Sequence, residues 1–152
     1  MYVSKRTRIA SLFAVLLLIS GGPAAAQTMA VSGNPGALHI TTAVPGSQPT
    51  SVSNNTTTYT VTTPNANKTY RITAQINANM PVGVTLTATF AAPAGATSVG
   101  PVALDVTARN VVTGVPKSTN STQSITYQLS GTAAAGVIAS STRMVTLTVI
   151  TP

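Results

Sequence analysis

Between residues 57 and 150, apolar and polar side chains alternate in short runs, each closed off by glycine, proline, serine or asparagine. Thr57 to Thr63 sets Tyr59 and Val61 among threonines. Thr69 to Asn77 places Tyr70, Ile72, Ala74 and Ile76 on one face, with Arg71, Thr73 and Gln75 on the other. Val82 to Phe90 repeats the device with Val82, Val84, Leu86, Ala88 and Phe90, and Val102 to Ala108 with Val102, Leu104, Val106 and Ala108. Ser124 to Ser130 turns Ile125, Tyr127 and Leu129 inward, and Thr142 to Ile150 does the same with Val145, Leu147 and Val149. A period of two marks strands with one face in a core and the other in water, as in antiparallel sheets. Threonine is the commonest outward residue: its branched Cβ favours extended backbone, and its hydroxyl wets the surface without charge.

Turn signals separate these runs: Pro64-Asn65-Ala66-Asn67, Asn79-Met80-Pro81, Pro93-Ala94-Gly95, Gly114-Val115-Pro116 and Ser118 to Ser121. No run beyond the N-terminal segment carries an apolar stripe of period 3.6. The pattern predicts an all-β domain over residues 54–152, a single antiparallel β-sandwich of about seven or eight strands, with a closed barrel as the alternative. Residues 27–53 are richer in Gly, Pro, Ser and Thr, with only Leu38-His39-Ile40 strand-like. They are expected to form a loosely held arm with one edge strand.

The first residues read differently. Lys5, Arg6 and Arg8 precede an apolar run from Ile9 to Ile19, then Gly21-Gly22-Pro23 and Ala24-Ala25-Ala26. This is the layout of a signal peptide over residues 1–26 with cleavage after Ala26. The run is shorter than the roughly 20 apolar residues of a membrane span, so no span is expected after cleavage. There is no cysteine to carry a lipid, and the arginines are not adjacent as a twin-arginine signal requires. General secretion to the periplasm, the cell surface or the medium is the expectation.

Charge changes once that segment is set aside. The whole chain carries +7, but Lys68, Arg71, Arg109, Lys117 and Arg143 against Asp105 leave +4 after residue 26. Those cations are scattered, not gathered into the basic stripe of a nucleic-acid surface, so no nucleic-acid partner is expected. The chain has no cysteine, so any stability rests on packing and backbone pairing without disulfides.

Reactive residues are scarce: one aspartate (Asp105), no glutamate and one histidine (His39). A glycosidase needs two carboxyl groups, and a structural zinc site needs about four clustered ligands. A Ser-His-acid triad would have to use His39 and Asp105, with no Gly-x-Ser-x-Gly elbow around any serine. Asp105 alone is a poor calcium site, and no glycine loop with a lysine cradles phosphate. No catalytic residue, metal or cofactor is therefore assigned, and enzymatic activity is not expected; a hydrolase using His39 is the minority reading. Asp105 is expected to pair with Arg109 at the surface, and His39 to sit on an exposed edge. A carbohydrate partner has no support, because there is no tryptophan and the three tyrosines after residue 26 alternate with apolar positions. The Asn-x-Ser/Thr motifs at Asn54, Asn55, Asn67 and Asn120 read as polar loops.

The last third has a familiar pattern. Ser124-Ile-Thr-Tyr-Gln-Leu-Ser130, followed by Ala133-Ala-Ala-Gly-Val-Ile-Ala-Ser-Ser-Thr-Arg-Met-Val-Thr-Leu-Thr-Val-Ile150, resembles the C-terminal hairpin of spore-coat-U-like and pilin-like secreted bacterial domains, and Thr69-Tyr-Arg-Ile-Thr-Ala74 resembles an early strand of that group. The resemblance implies an immunoglobulin-like sandwich acting as a surface or fibre subunit. The paired cysteines and terminal aromatic common in such subunits are missing, which speaks against assembly through a dedicated chaperone.

Low charge and Thr/Val-rich edges leave little to repel a neighbouring strand. The expectation is an exported structural or adhesive protein that associates with itself or with other surface subunits by strand addition. The candidate assembly strands carry Leu38 and Ile40 in the arm and Val145, Leu147 and Val149 at the C-terminus. The alternative is a monomeric periplasmic or extracellular binding module using the loops Pro93 to Gly100 and Gly114 to Thr122.

Overall fold

A computed structural model describes residues 26–151; the signal segment expected over residues 1–26 lies, apart from Ala26, outside them. The chain is all-β. Nine strands follow one another as β1 (Thr28–Ser32), β2 (Val52–Thr63), β3 (Tyr70–Ile76), β4 (Val84–Phe90), β5 (Thr97–Ser98), β6 (Val102–Ala103), β7 (Arg109–Val115), β8 (Ser118–Gly131) and β9 (Val145–Ile150). A single 3-10 turn, Ala133–Ala135, interrupts the strands among the described residues. One sheet runs β1-β2-β8-β4-β6 and the other β5-β7-β3-β9, every neighbouring pair antiparallel. The two sheets pack face to face as a β-sandwich.

The alternation in the sequence decides which side chains meet. Tyr59 and Val61 of β2, Ile72, Ala74 and Ile76 of β3, Ala88 and Phe90 of β4, and Ile125 of β8 are at most 1% exposed. The Tyr59 and Phe90 rings lie 5.7 Å apart and tilted, in the range where aromatic pairs attract. Burial of each large apolar side chain here stabilises the fold by about 1.5–3 kcal/mol. On the outer face of the five-stranded sheet the same alternation lines up threonines, and Thr60 and Thr122 bond hydroxyl to hydroxyl at 2.8 Å across β2 and β8.

Four segments depart from the sequence pattern. β7 escapes period-two reading because two register shifts break its pairing with β3, so adjacent Val111 and Val112 are both fully buried. Gly114, with φ +66°, lies within this irregular stretch, which reads in sequence as a turn. The first half of β8, Ser118 to Gln123, has no apolar inward residue, yet it pairs with β2 through a bulge at which Asn120 takes φ +49°. Val102 to Ala108 is strand only as far as Ala103. Leu104 still donates its N–H to Leu86 O at 2.9 Å, but Asp105 O accepts from Ile76 N at 2.8 Å in the opposite sheet. The segment thus crosses between sheets, and Val106 and Ala108 point to solvent. Val82 sits in the turn before β4, 95% exposed rather than inward.

In the arm, the strand lies upstream of where the sequence pattern puts it. β1 pairs with β2, from Thr28 opposite Thr62 to Ser32 opposite Thr58. Leu38–Ile40 is irregular. Gly33, at φ +77°, makes the turn out of β1, and a Cβ there would stand 2.6 Å from Thr56 O. The arm then lies along the domain: Leu38 packs on the core, Ile40 approaches Gly131, and Gln48 Oε1 accepts from Ala133 N at 2.7 Å.

Candidate functional site

Among the described residues β9 is an edge strand, hydrogen-bonded to β3 alone. Its backbone directions follow from the bonds around it. Ile76 N points to Asp105 on the β7 side of β3, so Arg71, Thr73 and Gln75 turn their backbone groups to β9. These residues face Ile150, Thr148 and Thr146. In an antiparallel strand the N–H and C=O of one residue point the same way, and neighbours point oppositely. Val145, Leu147 and Val149 therefore present both groups to the open edge. Among the described residues one tie reaches that edge: the side-chain amide of Gln27 donates to Val149 O at 3.2 Å.

The side chains of Val145, Leu147 and Val149 turn inward against Ile72, Ala74 and Ile76, yet stay half-buried where those partners are fully buried. Sheet order explains this. Among the described residues β9 ends its four-stranded sheet, with β3 on one side only, while the facing sheet carries β1 as its fifth strand. β1 approaches β9 across this side of the sandwich, so both long free edges lie together. β5 and β6, two residues each, occupy the far edges of the two sheets.

The remaining sequence candidates are dispersed. Leu38 and Ile40 are half-buried against their own domain, and His39 between them is exposed. Asp105 is held by Arg109 in a salt bridge, and its Oδ1 accepts from Thr107 N at 2.8 Å, which makes a tight turn. The Arg109 hydrogen bond, then the Thr107 N–H, hold its carboxyl below the usual aspartate range. Among the described residues no three acidic, histidine or cysteine side chains gather. Tyr59, Tyr70 and Tyr127 are buried. Desolvation pushes the Tyr59 phenol up to about 12 and raises that of Tyr127.

One end of the sandwich exposes apolar side chains among the charged Asp105, Arg109 and Arg143. Val44, Val82, Val106, Val137, Ile138 and Met144 are exposed on loops there. An open pocket of about 390 Å³ lies between the arm's turn, Ala43 to Ser47, and Thr132, Ala133 and Gly136. It has no charged or aromatic wall. Of the two loops expected to bind a ligand, Pro93 to Gly100 contains β5, and Gly114 to Thr122 is no loop: only Pro116 and Lys117 separate β7 from β8, at the opposite end of the sandwich. The sequence carried no signal for Gln27 or for the pocket, because both depend on segments brought together by folding.

No known protein family, curated protein or solved structure matches this chain.

Proposed function

We propose that this is an exported structural or adhesive surface protein, a coat-like or pilin-like subunit that associates through strand addition. The observation that carries this reading is the β9 edge: among the described residues Val145 and Leu147 turn unpaired backbone groups outward, Val149 O is held only by the Gln27 side chain, and the inward side chains are half-covered. An added strand would pair those groups and complete the cover. Apart from the Gln27 side chain on Val149 O, the strand itself carries no guard. From Val145 to Ile150 there is no charge, proline or bulge. The resemblance of its C-terminal third to spore-coat-U-like and pilin-like domains, and the signal-like first 26 residues, support the same role.

Sedimentation velocity over a range of concentrations, on protein purified from cells expressing the complete chain, tests it. Concentration-dependent association that is lost when Val145 is replaced by Lys supports strand addition at β9. A monomer at every concentration overturns it. A second reading is a monomeric binding module taking a small uncharged ligand at the open 390 Å³ pocket, whose walls carry no charge. That reading requires a monomer with ligand-dependent thermal stabilisation.

A further inference from the structure

β9 has a property that strand addition in general does not need. Val145-Thr146-Leu147-Thr148-Val149 reads the same in both directions. We infer that β9 is the interface of a closed two-fold dimer, in which the β9 strands of two copies pair antiparallel about Leu147. This rests on the strand-addition reading above and narrows it to one partner, a second copy, and one register.

The backbone geometry fits that register. Val145, Leu147 and Val149 turn both N–H and C=O to the open edge. With Leu147 on the axis, it exchanges both bonds with Leu147 of the second copy, and Val145 does so with Val149. Because the strand is palindromic, every cross-strand pair is like with like: valine faces valine and threonine faces threonine. Both kinds of pair are favourable in sheets, and no charge is brought against its own copy. A two-fold axis perpendicular to the sheet keeps the two inward rows on one face, so each half-covered row of Val145, Leu147 and Val149 shelters the other.

The rest of the sandwich makes the assembly close. An open-ended fibre needs a second docking edge facing another way. Here the long free edges, β1 and β9, share one side, and the far side ends in the two-residue β5 and β6. A second copy at β9 uses the open side of both molecules at once. The assembly therefore stops at two.

The chain has no cysteine, so single-cysteine variants report contacts without background. Facing residues in a hydrogen-bonded antiparallel pair have Cα atoms about 5.5 Å apart, within the roughly 4.4–6.8 Å span of a disulfide. Under mild oxidation L147C should form a disulfide-linked dimer, and T60C, on the outer face of β2, should not. Sedimentation of the unmodified chain should show one species of twice the monomer mass that stops growing with concentration. V149P, which removes an N–H pointing away from β3, should return it to monomer with its strand circular dichroism intact. A dimer that survives V149P and fails to cross-link at L147C overturns the interface. Assemblies that keep growing, and dissociate in V149P, overturn the closed pair while leaving strand addition standing. A monomer at every concentration overturns both.

Discussion

The hydroxyl of Tyr59 donates to the carbonyl of Ala91 at 2.5 Å, tying β2 to the end of β4 beneath β8, which lies between them in the sheet. The phenol stays protonated up to about pH 12 because it is desolvated, whereas an unfolded tyrosine ionises near 10. The unfolded chain therefore gains by losing this proton first. Stability is fully present below pH 10 and falls as pH rises from about 10 toward 12, with Tyr127 acting in the same direction. Urea midpoints at pH 8 and pH 11 should differ accordingly. Tyr59→Phe should cost about 1 kcal/mol at neutral pH and flatten that dependence.

Two buried threonines on β2 make a matched pair. Thr63 Oγ1 donates to Pro116 O at 2.6 Å and accepts from Ser118 N at 2.9 Å, pinning the start of β8. Thr57 Oγ1 is equally buried and has no partner among the described residues. Thr63→Val should destabilise by about 1–3 kcal/mol, since it leaves two backbone groups unpaired. Thr57→Val should be neutral or stabilising by up to about 1 kcal/mol, because a methyl replaces a desolvated hydroxyl. Chemical denaturation of both variants compares them directly.

Gly33 allows the chain to leave β1 and pass Thr56. Gly33→Ala meets both a left-handed φ and the Thr56 carbonyl, so it should cost about 1–3 kcal/mol. Faster hydrogen exchange over β1 than over β3 would place that loss in the arm.

Asp105 and Arg109 are exposed, so their pairing matters little to stability. The depressed aspartate pKa makes its contribution present above the ordinary aspartate range and lost as pH falls through the folded value. Asp105→Asn should weaken the fold slightly at pH 7, and the difference should fade as acid protonates the folded carboxyl. The small difference should shrink in high salt.

At the β9 edge, Gln27→Ala removes the amide that occupies Val149 O. Freed of that competitor, the two-fold pairing at β9 should tighten severalfold, as read by the dimer dissociation constant.

Alternation was enough to place the inward residues of β2, β3, β4, the second half of β8, and β9. These strands each have one dry and one wet face, and a strand's side chains must alternate. The pairing of Asp105 with Arg109 was also legible from their spacing, although a turn closed by Thr107 N–H, not a pleat, brings them together. β7 was hidden because its bulges bury Val111 and Val112 side by side, and the polar start of β8 because pairing with β2 holds it there. The false strand beyond Ala103 alternates by composition alone, while its backbone is shared between two sheets.

Apart from the buried valines of β7, the amino-acid sequence alone shows an all-β chain, the core-facing side chains of its regular strands and a scarcity of acid-base and metal-binding groups. Those properties follow from local periodicity and residue inventory. Which strand lies at an edge was decided only by tertiary structure. Val145, Leu147 and Val149 look inward in sequence just as Ile72, Ala74 and Ile76 do. They end up half-covered because, among the described residues, β9 finds β3 on one side and no strand on the other.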